Sequence, residues 1–345
     1  MFLSSDNAGP AHPQILQRVM DANRGFAAPY GDDALMDEVR DRLRTVFEAP
    51  QAAVYLVATG TAANALGLAC LASPWDTIFC SAVSHIEEDE CNAPEFYCGA
   101  AKLTLIPTDD KMAPDALRHA IARRDPEDVH IAQRGPVSIT QVTERGSVHS
   151  LDELEALTSV ARAFGLPVHM DGARFANALV ALGCTPAEMT WKRGIDVLSF
   201  GGTKNGCMGV EAVILFDPAR AREFELRRKR GAHLFSKHRY LSAQMAGYLQ
   251  DDLWLDTARA ANANAAYLAE GLRGKGAEFL FTPQANMLFP RFPRRIHQRL
   301  RAAGAAYKLI DGPLDSGDPE EMLAARLVCD WSIGRDALDR FLDHF

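Results

Sequence analysis

Over the first two thirds of the chain, short apolar runs alternate with stretches whose apolar positions recur every three or four residues. The runs at 52–58 (A-A-V-Y-L-V-A), 77–81, 102–107, 137–143, 166–171, 195–200 and 210–216 read as strands. Between them, 61–72 reads as a helix. Ser150 and Glu153 form a capping box ahead of another, with Leu154, Leu157, Ala161 and Phe164 on one face and Gly165 as its stop. Strands separated by helices in this way imply a mostly parallel sheet covered on both faces, an α/β domain.

From about 218 the pattern turns helical, over 218–231 and then roughly 236–273. The tail returns to short strands at 278–281, 286–292 and 325–331, closed by an amphipathic helix over 335–345. This pattern divides the chain into an N-terminal arm (1–15), a large domain (16–250) and a small C-terminal α+β domain (251–345). A length of 345 residues agrees with more than one domain.

Composition narrows the function classes. With 48% hydrophobic residues a large core is available, and a formal charge of -8 lacks the basic surface that general nucleic-acid binding needs. The cluster Arg227-Arg228-Lys229-Arg230 reads as a solvated helix face. No apolar stretch reaches membrane-spanning length, and the start M-F-L-S-S-D-N-A-G-P has no leader pattern. Seven cysteines form no C-x-x-C pair and no zinc-like spacing, so reduced thiols, no metal and a cytoplasmic compartment are expected.

In open α/β sheets, ligands bind beyond the carboxyl ends of the strands, and four unusual groups fall there. In A-T-G-T-A-A-N (58–64), Gly60 opens a helix whose Thr61 and Ala62 amides point outward; such a turn holds a phosphate, or is an ordinary strand–helix junction. In H-M-D-G-A-R (169–174), Asp171 and Arg174 form a structural ion pair or face a site together. His85, in S-H-I-E, reads as a satisfied loop histidine or a site residue. Lys204, in S-F-G-G-T-K-N-G, has little structural reason to follow a buried strand, because burying an ammonium is costly. A phosphate cradle, an aspartate and a lysine 33 residues later describe a pyridoxal phosphate site, with Lys204 joined covalently to the cofactor and Asp171 on the pyridinium nitrogen.

At this point the chain resembles a family. S-S-D-N, A-P-Y-G-D-D, G-T-A-A-N, S-H-I-E-E-D-E-C-N-A-P-E-F, H-M-D-G-A-R-F-A-N-A, C-T-P-A-E-M-T-W-K-R-G-I-D and F-G-G-T-K-N-G are, in order, similar to the low-specificity L-threonine aldolases. These are aspartate aminotransferase-like (fold type I) pyridoxal phosphate enzymes, beside the β-eliminating lyases. The resemblance implies that Gly60 and Thr61 hold the phosphate, with Thr203 also at the cofactor. It implies that His85 stacks over the ring, Asp171 binds its nitrogen and Arg174 reaches its phenolic oxygen. Ser5 and Arg326 would bind the substrate carboxylate, with Tyr30 and Arg239 as further site residues able to come from a neighbouring subunit. Arg326 also calls for an anion unaided, whether an internal acid or a substrate, since it lies inside an apolar strand. Many members carry a histidine in E-N-T-H-N-G where this chain has Q-V-T-E-R-G, so Glu144 stands in its place.

The implied activity is retro-aldol cleavage of L-threonine, L-allo-threonine or other L-β-hydroxy amino acids such as phenylserine to glycine and an aldehyde. His85, or a water near Glu144, would be the base. A β-eliminating lyase or an aminotransferase is the alternative on the same scaffold, and a non-catalytic cofactor-binding regulator a remote one. The expected partners are an amino acid substrate and further copies of the chain, a dimer at least and a tetramer by resemblance, with no nucleic acid and no membrane.

Overall fold

A computed structural model describes residues 1–345. Seven strands, β1 (Ala53–Val57), β2 (Asp76–Ser81), β3 (Lys102–Ile106), β4 (Gln133–Thr140), β5 (Val168–Gly172), β6 (Val197–Gly201) and β7 (Glu211–Leu215), form one sheet in the order β1-β7-β6-β5-β4-β2-β3. Only β7 runs against its neighbours. The link from β6 to β7 holds a single 3-10 turn, Thr203–Asn205, too short for the crossover a parallel pair requires. Strands β1, β5, β6 and β7 are buried at every position, which is why they read as continuous apolar runs rather than alternating ones.

Several features differ from the sequence pattern: the tail strand expected over 325–331 spans Met322–Val328, and the run 286–292 is two strands, Met287–Leu288 and Pro290–Pro293. Strand β4 begins at Gln133 and ends at Thr140, not 137–143, and Gly135-Pro136 lies where its register with β2 shifts. The long helix expected over 236–273 is two helices, Arg239–Leu249 and Leu253–Gly274, because Asp251 and Asp252 adopt left-handed φ values of 51° and 57°. Aspartate tolerates that region, so the break carries no glycine signal. The cluster 227–230 is not wholly solvated: Arg228 is buried, with its guanidinium 5.0 Å from the centre of the Tyr55 ring and donating to the Leu56 carbonyl.

The small sheet pairs Met322–Val328 with Pro290–Pro293, Met287–Leu288 and Lys308–Leu309. Leu3 joins it through hydrogen bonds to Ala306 and Val328, so the chain start lies between these two segments. Of the apolar cores that result, two meet along one helix. Leu253, Trp254 and Ala258 of the helix Leu253–Gly274 belong to the one around the large sheet, and Ala265, Leu268, Ala269 and Leu272 to the other. The buried face of this helix thus passes from one core to the other.

His169 on β5 is fully buried between the Ser138 and Ser199 hydroxyls, each 3.0 Å away, and burial pushes it down to about 4. The unfolded chain takes up this proton near 6.5, so the stabilisation from the neutral ring is complete above that value and is lost as pH falls toward 4. Relative to His169→Gln, the wild-type unfolding free energy should fall by about 1.4 kcal/mol per pH unit at the steepest part of that window. Urea titrations of both proteins at pH 7.5, 6, 5 and 4.5 check this; a difference independent of pH refutes it.

Candidate active site

Beyond the carboxyl ends of β1, β5 and β6, where β7 begins, lies a cavity of about 390 Å³ lined by Gly60, Thr61, Asn64, His85, Glu90, Asp171, Thr203, Lys204 and Glu211. Its first wall is the start of the helix Gly60–Ala69. Thr59 caps that helix, its hydroxyl accepting from the Ala62 amide at 3.1 Å. The Ala62 amide expected to face a phosphate is therefore already used, and the amides of Gly60 and Thr61 remain at the helix end. A Cβ on Gly60 would meet no atom within 4 Å and would occupy the cavity. Open space and two unbonded amides at a helix N-terminus are what an anion such as a phosphate would need.

Asp171 stands at the end of β5. One carboxylate oxygen accepts from the Ala173 amide at 3.0 Å, the other from the Asn64 side chain at 2.9 Å. Asn64 also donates to Glu90 at 2.8 Å, and Glu90 faces His85 Nδ1 at 2.8 Å. That hydrogen bond to Glu90 raises His85 above its ordinary value against the effect of burial, while burial raises the Glu90 carboxyl. Ligand-type atoms of His85, Glu90 and Asp171 lie within 4.8 Å of one another. The Asn64 amide bridges the two carboxylates as a donor, which suits a hydrogen-bonded network and would repel a cation.

Lys204 sits on the turn after β6. The two glycines before it are dictated by crowding: a Cβ on Gly201 would lie 2.3 Å from the Ala173 carbonyl, and one on Gly202 2.7 Å from that of Val210. Asn205 pins the turn from below through Tyr248 Oη and the Trp254 carbonyl, and Thr203 Oγ1 accepts from the Val210 amide. Glu211, at the start of β7, accepts from the Gly202 amide at 2.7 Å. Burial pushes its carboxyl up to about 7, partly offset by those hydrogen bonds and by Lys204.

Arg174 is buried and gives Nε and Nη2 to Asp6 at 2.7 and 3.0 Å. The ion pair expected between Asp171 and Arg174 does not form: Arg174 pairs with Asp6 of the arm instead. Burial alone would push the Asp6 carboxyl up; Arg174 and Lys204 hold it below its usual value. Ser5 caps the turn Asp6–Ala8 through the Asn7 amide, and Asn7 lines the cavity. Arg326 and Glu144 line a second cavity of about 630 Å³, which shares Asp89 with the first. Arg326 donates to the Ser4 carbonyl at 3.2 Å, and its Nε is buried with no partner. Tyr30 and Arg239 do not reach the cavity in this chain: Tyr30 is exposed with Lys229 over its ring, and Arg239 donates to the Gly25 carbonyl.

A family model for beta-eliminating lyases matches residues 3–292. The chain belongs to that family. It is 39% identical over 330 residues to the low specificity L-threonine aldolase of Pseudomonas aeruginosa, covering 95% of this chain and 92% of that protein. The Escherichia coli enzyme of the same name is 26% identical over 99% of this chain and 97% of its own length. Among solved structures, the threonine aldolase of Leishmania major superposes with a TM-score of 0.92 at 25% identity, over 99% of this chain and 97% of that one. Serine palmitoyltransferase of Sphingomonas wittichii, at 17% identity, a TM-score of 0.73 and coverage of 100% and 86%, shares the fold. The architecture is that of the fold type I pyridoxal phosphate enzymes.

Sequence reasoning missed Asp6, Asn64, Glu90 and Glu211. For Asn64 a signal existed: one amide in the alanine-rich helix 60–69 is a polar group that burial must explain.

Proposed function

We propose that the chain is a pyridoxal phosphate-dependent aldolase that cleaves L-threonine, L-allo-threonine and related L-β-hydroxy amino acids to glycine and an aldehyde. The observation that carries this reading is the convergence of Lys204, Asp171 and the Gly60 cradle on one cavity, in a chain 39% identical to a low specificity L-threonine aldolase. The residues present fit the cofactor. The Gly60 and Thr61 amides would take its phosphate, Asp171 its ring nitrogen and His85 a ring face, with Thr203 alongside and Lys204 as the covalent attachment. Arg174, whose Nη1 is the guanidinium nitrogen not bonded to Asp6, would take the phenolic oxygen. Bound there, the cofactor supplies an electron sink for the bond at the substrate Cα.

The chain's own groups do the rest. Arg326, with its unpartnered Nε, holds the substrate carboxylate, and Ser5 assists. His85 accepts the β-hydroxyl proton; Glu144, in the adjoining cavity, acts on it through a water. The apolar side chains of Leu280, Phe281, Phe289 and Ile310 in that cavity offer room for β-substituents larger than methyl, which supports phenylserine as a substrate.

Exposed Met20, Phe26, Trp75, Phe96 and Leu226 support a homo-oligomer, a dimer at least and by resemblance a tetramer, in which Tyr30 and Arg239 reach a neighbouring cavity. Seven unpaired cysteines support a reducing, cytoplasmic location, and no helix is long and apolar enough to cross a membrane.

Product analysis tests the activity. Purified protein loaded with cofactor should form equimolar glycine and aldehyde from both threonine diastereomers and from phenylserine. Ammonia with a keto acid would instead identify a β-eliminating lyase, and a transferred amino group an aminotransferase.

A further inference from the structure

Glu90 closes the acidic run Glu87-Glu88-Asp89-Glu90, yet its side chain is 0% exposed. One carboxylate oxygen faces both His85 Nδ1 and Asn64 Nδ2 at 2.8 Å, and the other is buried with no partner. A buried carboxylate with an unsatisfied oxygen is a poor device for stability, since an apolar side chain would serve better. Its geometry does something else. A carboxylate opposite Nδ1 requires the proton on Nδ1, and the lone pair then stands on Nε2, the nitrogen left to the cavity that His85 lines. Asn64 gives its second amide hydrogen to Asp171 at 2.9 Å, so one side chain spaces Glu90 from the carboxylate at the end of β5.

We infer that Glu90 is a positioning residue: it fixes His85 in the Nδ1–H tautomer, with Nε2 as the acceptor for the substrate hydroxyl proton, and Asn64 ties this base to Asp171. The inference rests on the aldolase reading of the site. In the step it serves, the hydroxyl O–H bond breaks and a bond to Nε2 forms, and the oxygen becomes that of the aldehyde as Cα–Cβ breaks. The electron pair left at Cα is then protonated to give glycine. The imidazolium formed meanwhile faces Glu90 from its own segment, Asp171 from β5 and Glu144 from the loop after β4, while Lys204 is the cation across the cavity. Glu90 is the acid among these in direct contact with the ring.

Two measurements test this. Nitrogen-15 spectra of the histidine-labelled protein without cofactor should show His85 in the Nδ1–H tautomer at neutral pH; an Nε2–H ring overturns the proposal without any variant. In the loaded enzyme, Glu90→Gln should lower kcat/KM for threonine roughly 10- to 100-fold with KM within about twofold, as expected when a group orienting a base is lost. The acid limb of the pH profile and the His85 titration should both move to lower pH, and Glu90→Asp should recover part of each. A Glu90→Gln enzyme with wild-type kcat/KM and an unmoved His85 titration sinks the assignment. If the wild-type protein forms no glycine from any β-hydroxy amino acid while His85 holds the expected tautomer, the aldolase reading fails and the positioning role of Glu90 stands.

Discussion

Lys204→Ala should bind pyridoxal phosphate and turn over threonine about 10⁴- to 10⁶-fold more slowly than the wild type, the scale of loss when one member of a covalent catalytic set is deleted. Lys204 stands on a turn that Gly201, Gly202 and Asn205 hold in place, facing the cavity that also contains Asp171 and the Gly60 cradle. The cradle, Asp171 and Arg174 do not depend on the lysine, so cofactor retention and loss of turnover should separate. The wild-type protein should be yellow, and borohydride should bleach it while fixing the cofactor to one peptide. Lys111 and Lys192 are held by Glu153 and Glu48 at the surface, and the informative competitor is Lys308, which lines the adjoining cavity. A label on Lys308, or a Lys204→Ala enzyme within tenfold of wild-type turnover, would refute the assignment.

The residues that could be recognised in the sequence are those whose neighbours make them improbable. Asp171 and Lys204 each end an apolar run that is buried at every strand position, so a charge there stands out. Glu90 was hidden by the opposite circumstance. In a run of four acids it looks like one more solvated carboxylate, and only the fold turns it inward beneath His85. Asp6 pairs with Arg174 across 168 positions of sequence, a distance over which no local pattern operates. The same physics governed the elements. Strands buried on both faces announced themselves, whereas the start of β4 hid behind Gly135-Pro136, and the helix break at Asp251-Asp252 lay in side chains that permit a left-handed turn without requiring it.

Arg326→Ala should leave the cofactor bound and raise KM for threonine. Arg326 lies within Met322–Val328, paired across the small sheet with Lys308. The alternative, an internal acid as partner, is not what the chain provides: one nitrogen donates to the Ser4 carbonyl and buried Nε has no acceptor. A guanidinium with an open donor beside the catalytic cavity matches a carboxylate in geometry and charge. Removing one partner of such a pair costs about 2–5 kcal/mol, a rise in KM of roughly 30-fold to several thousand-fold. Because Arg326 is only partly buried, the lower end is expected. The change should fall on KM more than on kcat, since the carboxylate is held alike before and during bond cleavage. Arg326→Lys keeps the charge but loses the fork, so it should recover only part of the affinity. Added guanidinium should restore some activity to the alanine variant and none to Arg326→Lys. A normal KM in Arg326→Ala, with cofactor absorbance and melting temperature unchanged, would mean that the substrate carboxylate is bound elsewhere.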